Sequence, residues 1–135
     1  MSDTFSPEKR SWIMSQVRSQ NTTPEMLIRS LTHRLGYRYR LHSENLPGKP
    51  DLVFPSRRKA LFVHGCFWHG HDCSRGARIP KSNSKYWIKK IGRNKERDQE
   101  NKKLLESLGW SVLVLWECQT NDLDNVKIIL EDFLG

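Results

Sequence analysis

LPGKPDLVFPSRRKALFVHGCFWHGHDC, residues 46–73, is the stretch on which the fold turns. Two apolar runs of strand length, Asp51-Leu52-Val53-Phe54 and Ala60-Leu61-Phe62-Val63, flank the basic turn Pro55 to Lys59. Continuous apolar runs bounded by turn residues suit strands buried on both sides, and a short connection suits a hairpin. From His64 to Pro80 the periodicity disappears, and histidines and cysteines take over. This segment reads as a loop with chemistry on it.

Outward from there, Thr22-Thr23-Pro24-Glu25 opens a helix with Leu27, Ile28, Leu31 and Leu35 on one stripe, and Gly36 closes it. Ser6-Pro7-Glu8 opens an earlier helix, running to about Arg18, within an N-terminal arm of about residues 1–20. Tyr37 to Leu41 alternates aromatic and basic residues, as a half-exposed strand does. Ser84 to Leu108 is helical, either as two helices or as one bent near Gly92. Trp110 to Trp116 is another buried strand, and Asp122 caps a last helix with Leu123, Val126, Ile129, Leu130 and Phe133 inward. The order α-α-β-β-β-loop-α-β-α predicts one α/β domain over residues 1–135, a mixed sheet with helices on both faces.

Composition narrows the function. The chain has 135 residues and a net charge of +8, with a pI near 9.7, which favours an anionic partner such as nucleic acid. No apolar run approaches membrane-spanning length, and MSDTFSPEKR lacks the apolar run of a secretory signal. A soluble intracellular protein is expected. Three cysteines, an odd count, point away from a disulfide framework and towards metal, catalysis or inert burial.

Cys66-x4-His71-x-Cys73, with Cys118 beyond the next helix, supplies three thiolates and one imidazole. Such a set suits a closed tetrahedral zinc site, which is structural; the alternative is a buried Cys118 beside two free thiols. Asp51, at the mouth of a strand, either holds Mg²⁺ through oxygen or caps local amides. His64 and His69 either move protons or are satisfied structural histidines. Glu25 fits both a capping box from Thr22 and a catalytic carboxylate. Phe67, Trp68 and Trp87, close to Lys89, Lys90 and Arg93, suit either core packing or rings that part bases while cations hold phosphates.

Three strings, Leu46-Pro47-Gly48-Lys49-Pro50-Asp51, His64-Gly65-Cys66-Phe67-Trp68-His69 and Trp116-Glu117-Cys118, together resemble the very short patch repair (Vsr) mismatch endonuclease family. Lys90-Ile91-Gly92 and Asn94 to Asp98 extend the resemblance over nearly the whole chain from Arg10. It implies a restriction-endonuclease-like fold and Mg²⁺-dependent nicking of double-stranded DNA on the 5′ side of the thymine in a T:G mismatch. By matching positions it implies Asp51 as Mg²⁺ ligand and His69 as acid/base group oriented by Asp98. His64 and Glu25 assist, while Cys66, His71, Cys73 and Cys118 hold structural zinc. Phe67, Trp68 and Trp87 would wedge beside the mismatch, Lys90 and Asn94 would contact its bases, and Met14 would approach from the minor groove. Val63 stands where the family carries threonine, leaving only a main-chain carbonyl for the metal. The resemblance also implies a monomer acting in the cytoplasm on nucleoid DNA, with mismatch-repair proteins as partners. Two rival readings are a zinc-stabilised DNA-binding module that does not cut, and a nuclease with another target.

Overall fold

A computed structural model describes residues 22–73 and 79–135. The expected N-terminal arm, with its helix and Met14, lies outside the described residues. Helix α1 spans Thr23–Arg34 and strand β1 Arg40–Leu41; β2 spans Leu52–Phe54 and β3 Lys59–His64. Helix α2 covers Ser84–Ser107, β4 covers Ser111–Trp116 and α3 covers Leu123–Leu134. The sheet order is β1-β2-β3-β4. The first three strands are antiparallel, and β4 runs parallel to β3 after the α2 crossover.

Strand alternation divides the core in two. Leu52 and Phe54 of β2, Leu61 of β3 and Leu115 of β4 face one way, against Ile28 and Leu31 of α1 and Val126, Leu130 and Leu134 of α3. Ala60 and Phe62, with Val112 and Val114, face the other way, against Leu105 of α2. The mixed sheet with helices on both faces is therefore present. Asp51, Val53, Phe62 and His64 share the α2 face by the two-residue period.

Four local expectations differ. Only Arg40 and Leu41 pair within the expected strand Tyr37 to Leu41; Tyr39 instead packs as irregular chain, its hydroxyl donating to the Arg29 carbonyl at 3.2 Å. In α1 the buried stripe is Glu25, Ile28, Leu31 and Thr32, with Leu27 exposed. Ser84–Ser107 is one uninterrupted helix, and a side chain at Gly92 would meet nothing. Only Leu115 of β4 is fully buried, because β4 lies at the edge of the described sheet.

The basic turn after β2 serves the fold. Arg57 donates to the last carbonyl of α3, at Leu134 (2.9 Å), and Arg58 to the carbonyl of Leu108 at the end of α2 (2.7 Å). Cations at helix C-termini satisfy unpaired carbonyls and complement the dipole.

Candidate active site and metal centre

Asp51 follows Pro50 at the entrance to β2, and its Oδ2 accepts the Val63 N–H at 2.7 Å from the adjacent strand. The carboxylate thus bridges two strands of the sheet. Glu25 projects from the first turn of α1. Thr22 Oγ1 accepts the Glu25 N–H at 3.3 Å, so the helix is capped, while the Glu25 carboxylate lies 2.7 Å from His42 Nε2 and 3.6 Å from Arg29 Nη1. Only 1% of Glu25 is exposed. Burial pushes the Asp51 carboxyl up from 3.8 to about 6, against the lowering effect of the Val63 N–H, and Glu25 raises it further.

His64 ends β3, and a tight turn then brings His69 over it, the His69 N–H donating to Gly65 at 3.2 Å. The two imidazoles stack with centroids 3.8 Å apart and planes 4° apart. His69 Nδ1 meets Asp98 Oδ2 at 2.6 Å, and His64 Nδ1 lies 4.0 Å from the same oxygen. Burial first, and His69 second, push His64 down to about 4, so it is neutral near pH 7.

Helix α2 supports this turn along one face. Asn94 Nδ2 donates to the Trp68 carbonyl at 2.8 Å, one turn before Asp98. Trp87 is buried and packs edge-on against Phe67 (5.5 Å) and Trp68 (5.9 Å), both half-buried. Gly70, at φ +63°, lets the turn touch the helix: a Cβ there would stand 2.7 Å from Ile91 and Lys95.

The parallel register pairs His64 with Trp116, so Cys66 and Cys118 emerge two residues later from neighbouring strand ends. The Cys118 N–H donates to Cys66 Sγ at 3.4 Å, and Cys118 Sγ lies 3.6 Å from His71 Nδ1. One donor atom each from Cys66, His71, Cys73 and Cys118 lies within 4.8 Å of all the others. Burial pushes the Cys66 thiol up to about 12. Three sulfurs and one nitrogen at this spacing can hold a metal ion, with no position left for a substrate.

Glu25, Asp51, Val63, His64, Trp68, His69, Lys90 and Asp98 line one cleft of about 980 Å³. Lys90 and Asn94 also line a smaller groove of about 180 Å³ beside it. Lys49, Lys95, Arg97 and Lys102 add cations to the larger cleft. Two residues escaped the sequence reading. His42 joins Glu25 and Asp51, and an isolated histidine before a turn carries no signal of that. Trp116, read as core, stacks on His71 (4.2 Å, 18°) and meets the His64 and His69 rings edge-on. Its place two residues before Cys118 is the signal that could have located it.

The family model described as DNA mismatch endonuclease Vsr matches residues 2–75, more than half of the chain. The chain belongs to this family. The Type II nicking enzyme V.XorIIP of Xanthomonas oryzae pv. oryzae is 53% identical over 99% of this chain and 98% of its own. The Type II nicking enzyme V.NmeAIP of Neisseria meningitidis is 44% identical over 88% of this chain and 84% of its own. For the DNA mismatch endonuclease Vsr of Escherichia coli K12 the identity is 38%, over 87% of this chain and 75% of that protein. Vsr membership makes the chain a DNA endonuclease, a phosphodiester hydrolase acting on DNA, and its mixed sheet the restriction-endonuclease-like fold. Among the described residues no helix is long and apolar enough to cross a membrane.

The Asp51 shift carries a stability prediction. A raised carboxyl pKa means that the folded state holds the proton more tightly. Ionisation therefore costs stability above about pH 6, and the cost fades as pH falls towards 3.8. Asp51→Asn is expected to stabilise the protein by about 2–3 kcal/mol at about pH 8 in buffer without added metal. Thermal melts across pH should show that gain vanish below about pH 4.

Proposed function

We propose that this chain nicks one strand of duplex DNA on the 5′ side of the thymine in a T:G mismatch, with Mg²⁺, to begin very short patch repair. The observation that carries the reading is convergence: two carboxylates, Glu25 and Asp51, face a stacked histidine pair backed by Asp98 in one cation-rimmed cleft. The names of relatives as nicking and mismatch enzymes support it.

Hard carboxylate oxygens on Asp51 and Glu25 fit Mg²⁺. The Val63 N–H faces Asp51, and in an extended strand the carbonyl of the same residue faces the same edge, which supports that carbonyl as a further ligand. When held there, Mg²⁺ would polarise the scissile phosphoryl group and stabilise the leaving oxygen. His69 donates Nδ1–H to the Asp98 carboxylate, which fixes the tautomer and leaves Nε2 to take the proton of an in-line water. His64, neutral and stacked beneath His69, keeps that ring from rotating and offers a polar edge to a phosphate oxygen. Lys49, Lys95, Arg97 and Lys102 hold flanking phosphates.

Phe67 and Trp68 form the accessible tip of an aromatic triad whose base is the buried Trp87, a shape that can wedge between base steps already weakened by a mismatch. Lys90 and Asn94 read the mismatched bases from the adjoining groove, and Met14, which lies outside the described residues, would read them from the minor groove. Cys66, His71, Cys73 and Cys118 hold structural zinc, which their three-sulfur, one-nitrogen donor set favours.

The deciding experiment is strand nicking of a labelled duplex bearing one T:G pair, with and without Mg²⁺, beside a fully paired control. Mg²⁺-dependent cutting of the thymine strand of the mismatched duplex alone is expected. Equal cutting of both duplexes would move the reading to a nuclease with another target, and binding without cutting to a DNA-binding module. His69→Ala is expected to slow nicking about 10³-fold with DNA affinity unchanged in a gel shift. Asp98→Asn should cost about tenfold or more, through the lost orientation of the imidazole.

A further inference from the structure

His42 belongs to no motif of the sequence, yet it touches both acidic residues, one by side chain and the other by main chain. Its Nε2 lies 2.7 Å from Glu25 Oε2, and its own N–H donates to the Asp51 carbonyl at 3.0 Å. It adopts φ +46°, a left-handed conformation that few residues other than glycine, asparagine, aspartate and histidine take up. Its side chain is 16% exposed and lines the same cleft as Glu25 and Asp51. Donor atoms of Glu25, His42 and Asp51 lie within 4.8 Å of one another.

From this geometry we infer that His42 is a positioning residue for the metal-holding carboxylates, a bracket that aims Glu25 at the ion beside Asp51. The inference rests on the metal role proposed for Asp51. A carboxylate only accepts, so the imidazole donates Nε2–H to Glu25 Oε2. That bond satisfies one oxygen of a buried side chain and directs the other towards Asp51, whose carboxyl Glu25 already perturbs. The main-chain bond from His42 to Asp51 fixes where the bracket begins. A second partner that orients a metal-holding carboxylate typically changes metal affinity about 10–100-fold when removed.

Two amides separate this role from a merely structural one. Gln reaches about as far as the histidine Nε2 and can donate there. Asn offers the same chemistry from a shorter chain and tolerates positive φ better than most residues. A backbone role alone would favour His42→Asn, and a bracket role would favour His42→Gln. The test is titration of the zinc-loaded full chain with Mn²⁺, following free Mn²⁺ by electron paramagnetic resonance, with melting curves for each variant. His42→Asn is expected to weaken Mn²⁺ binding about tenfold or more, with His42→Gln within about threefold of wild type. Nicking should show the same order, as a higher Mg²⁺ requirement with DNA affinity unchanged. Wild-type Mn²⁺ binding by both variants, or equal losses in both, would overturn the inference. Asp51→Asn runs alongside: undiminished Mn²⁺ binding there would overturn the metal role of Asp51 instead.

Discussion

Asp51→Ala is expected to lower the nicking rate by about 10⁴-fold or more, about 5.5 kcal/mol of transition-state stabilisation, while mismatched DNA still binds. Asp51 reaches across from β2 to the Val63 N–H, so its carboxylate is fixed by the sheet itself. Alanine removes the oxygen proposed to support the ion and leaves the Val63 N–H to water. Glu25 alone leaves the proposed site one carboxylate short, and Asp98 is tied to His69. Single-turnover nicking with Mg²⁺, beside a gel shift on the same duplex, separates chemistry from binding. A variant that cuts within tenfold of wild type would return Asp51 to the role of a strand-bridging cap.

Loss of the proposed zinc centre is expected to have the largest effect on stability. Cys66 and Cys118 close the ends of two adjacent parallel strands, with the His71 ring stacked on Trp116 beside them. An ion held a thousandfold above its dissociation constant contributes about 4 kcal/mol to folding. For a chain of this size that is about 12 °C in melting temperature. Cys118→Ser should therefore melt about 12 °C lower, and native mass spectrometry should show one zinc per wild-type chain. The same variant should nick more slowly, because Trp116 touches His64 and His69 as well as His71. Equal melting of variant and wild type, with no zinc in either, would remove the cluster from the list of structural sites.

Much of this arrangement is legible in the chain before folding. Strands β2 and β3 and their hairpin follow from uninterrupted apolar runs around a Pro-led turn, and the caps at Thr22 and Asp122 form as their residue types require. The cysteine and histidine spacing anticipates a cluster that the parallel register then assembles. The misses have a common origin in tertiary context. β1 shrinks to two pairs because its antiparallel partner β2 gives way after Phe54 to the turn Pro55–Arg57, which leaves Tyr37 to Tyr39 without a strand to pair with. Leu27 was placed on the inner stripe of α1, where the buried Glu25 takes up the inward face instead. Local patterns rank apolar residues inward, and a buried, paired carboxylate inverts that ranking. The roles of His42 and Trp116 depend on strands and turns distant in sequence, which no local period encodes.

The parallel pairing of β3 with β4 also sets an order of events during biosynthesis. Every side chain proposed for the chemistry, from Glu25 to Asp98, leaves the ribosome before β4 does. Cys118, which completes the cysteine–histidine cluster, follows β4. A nascent or prematurely ended chain thus holds all the reagents of a DNA-cutting enzyme without the frame that aligns them. Competence to cut DNA arrives only once β4 and Cys118 have followed.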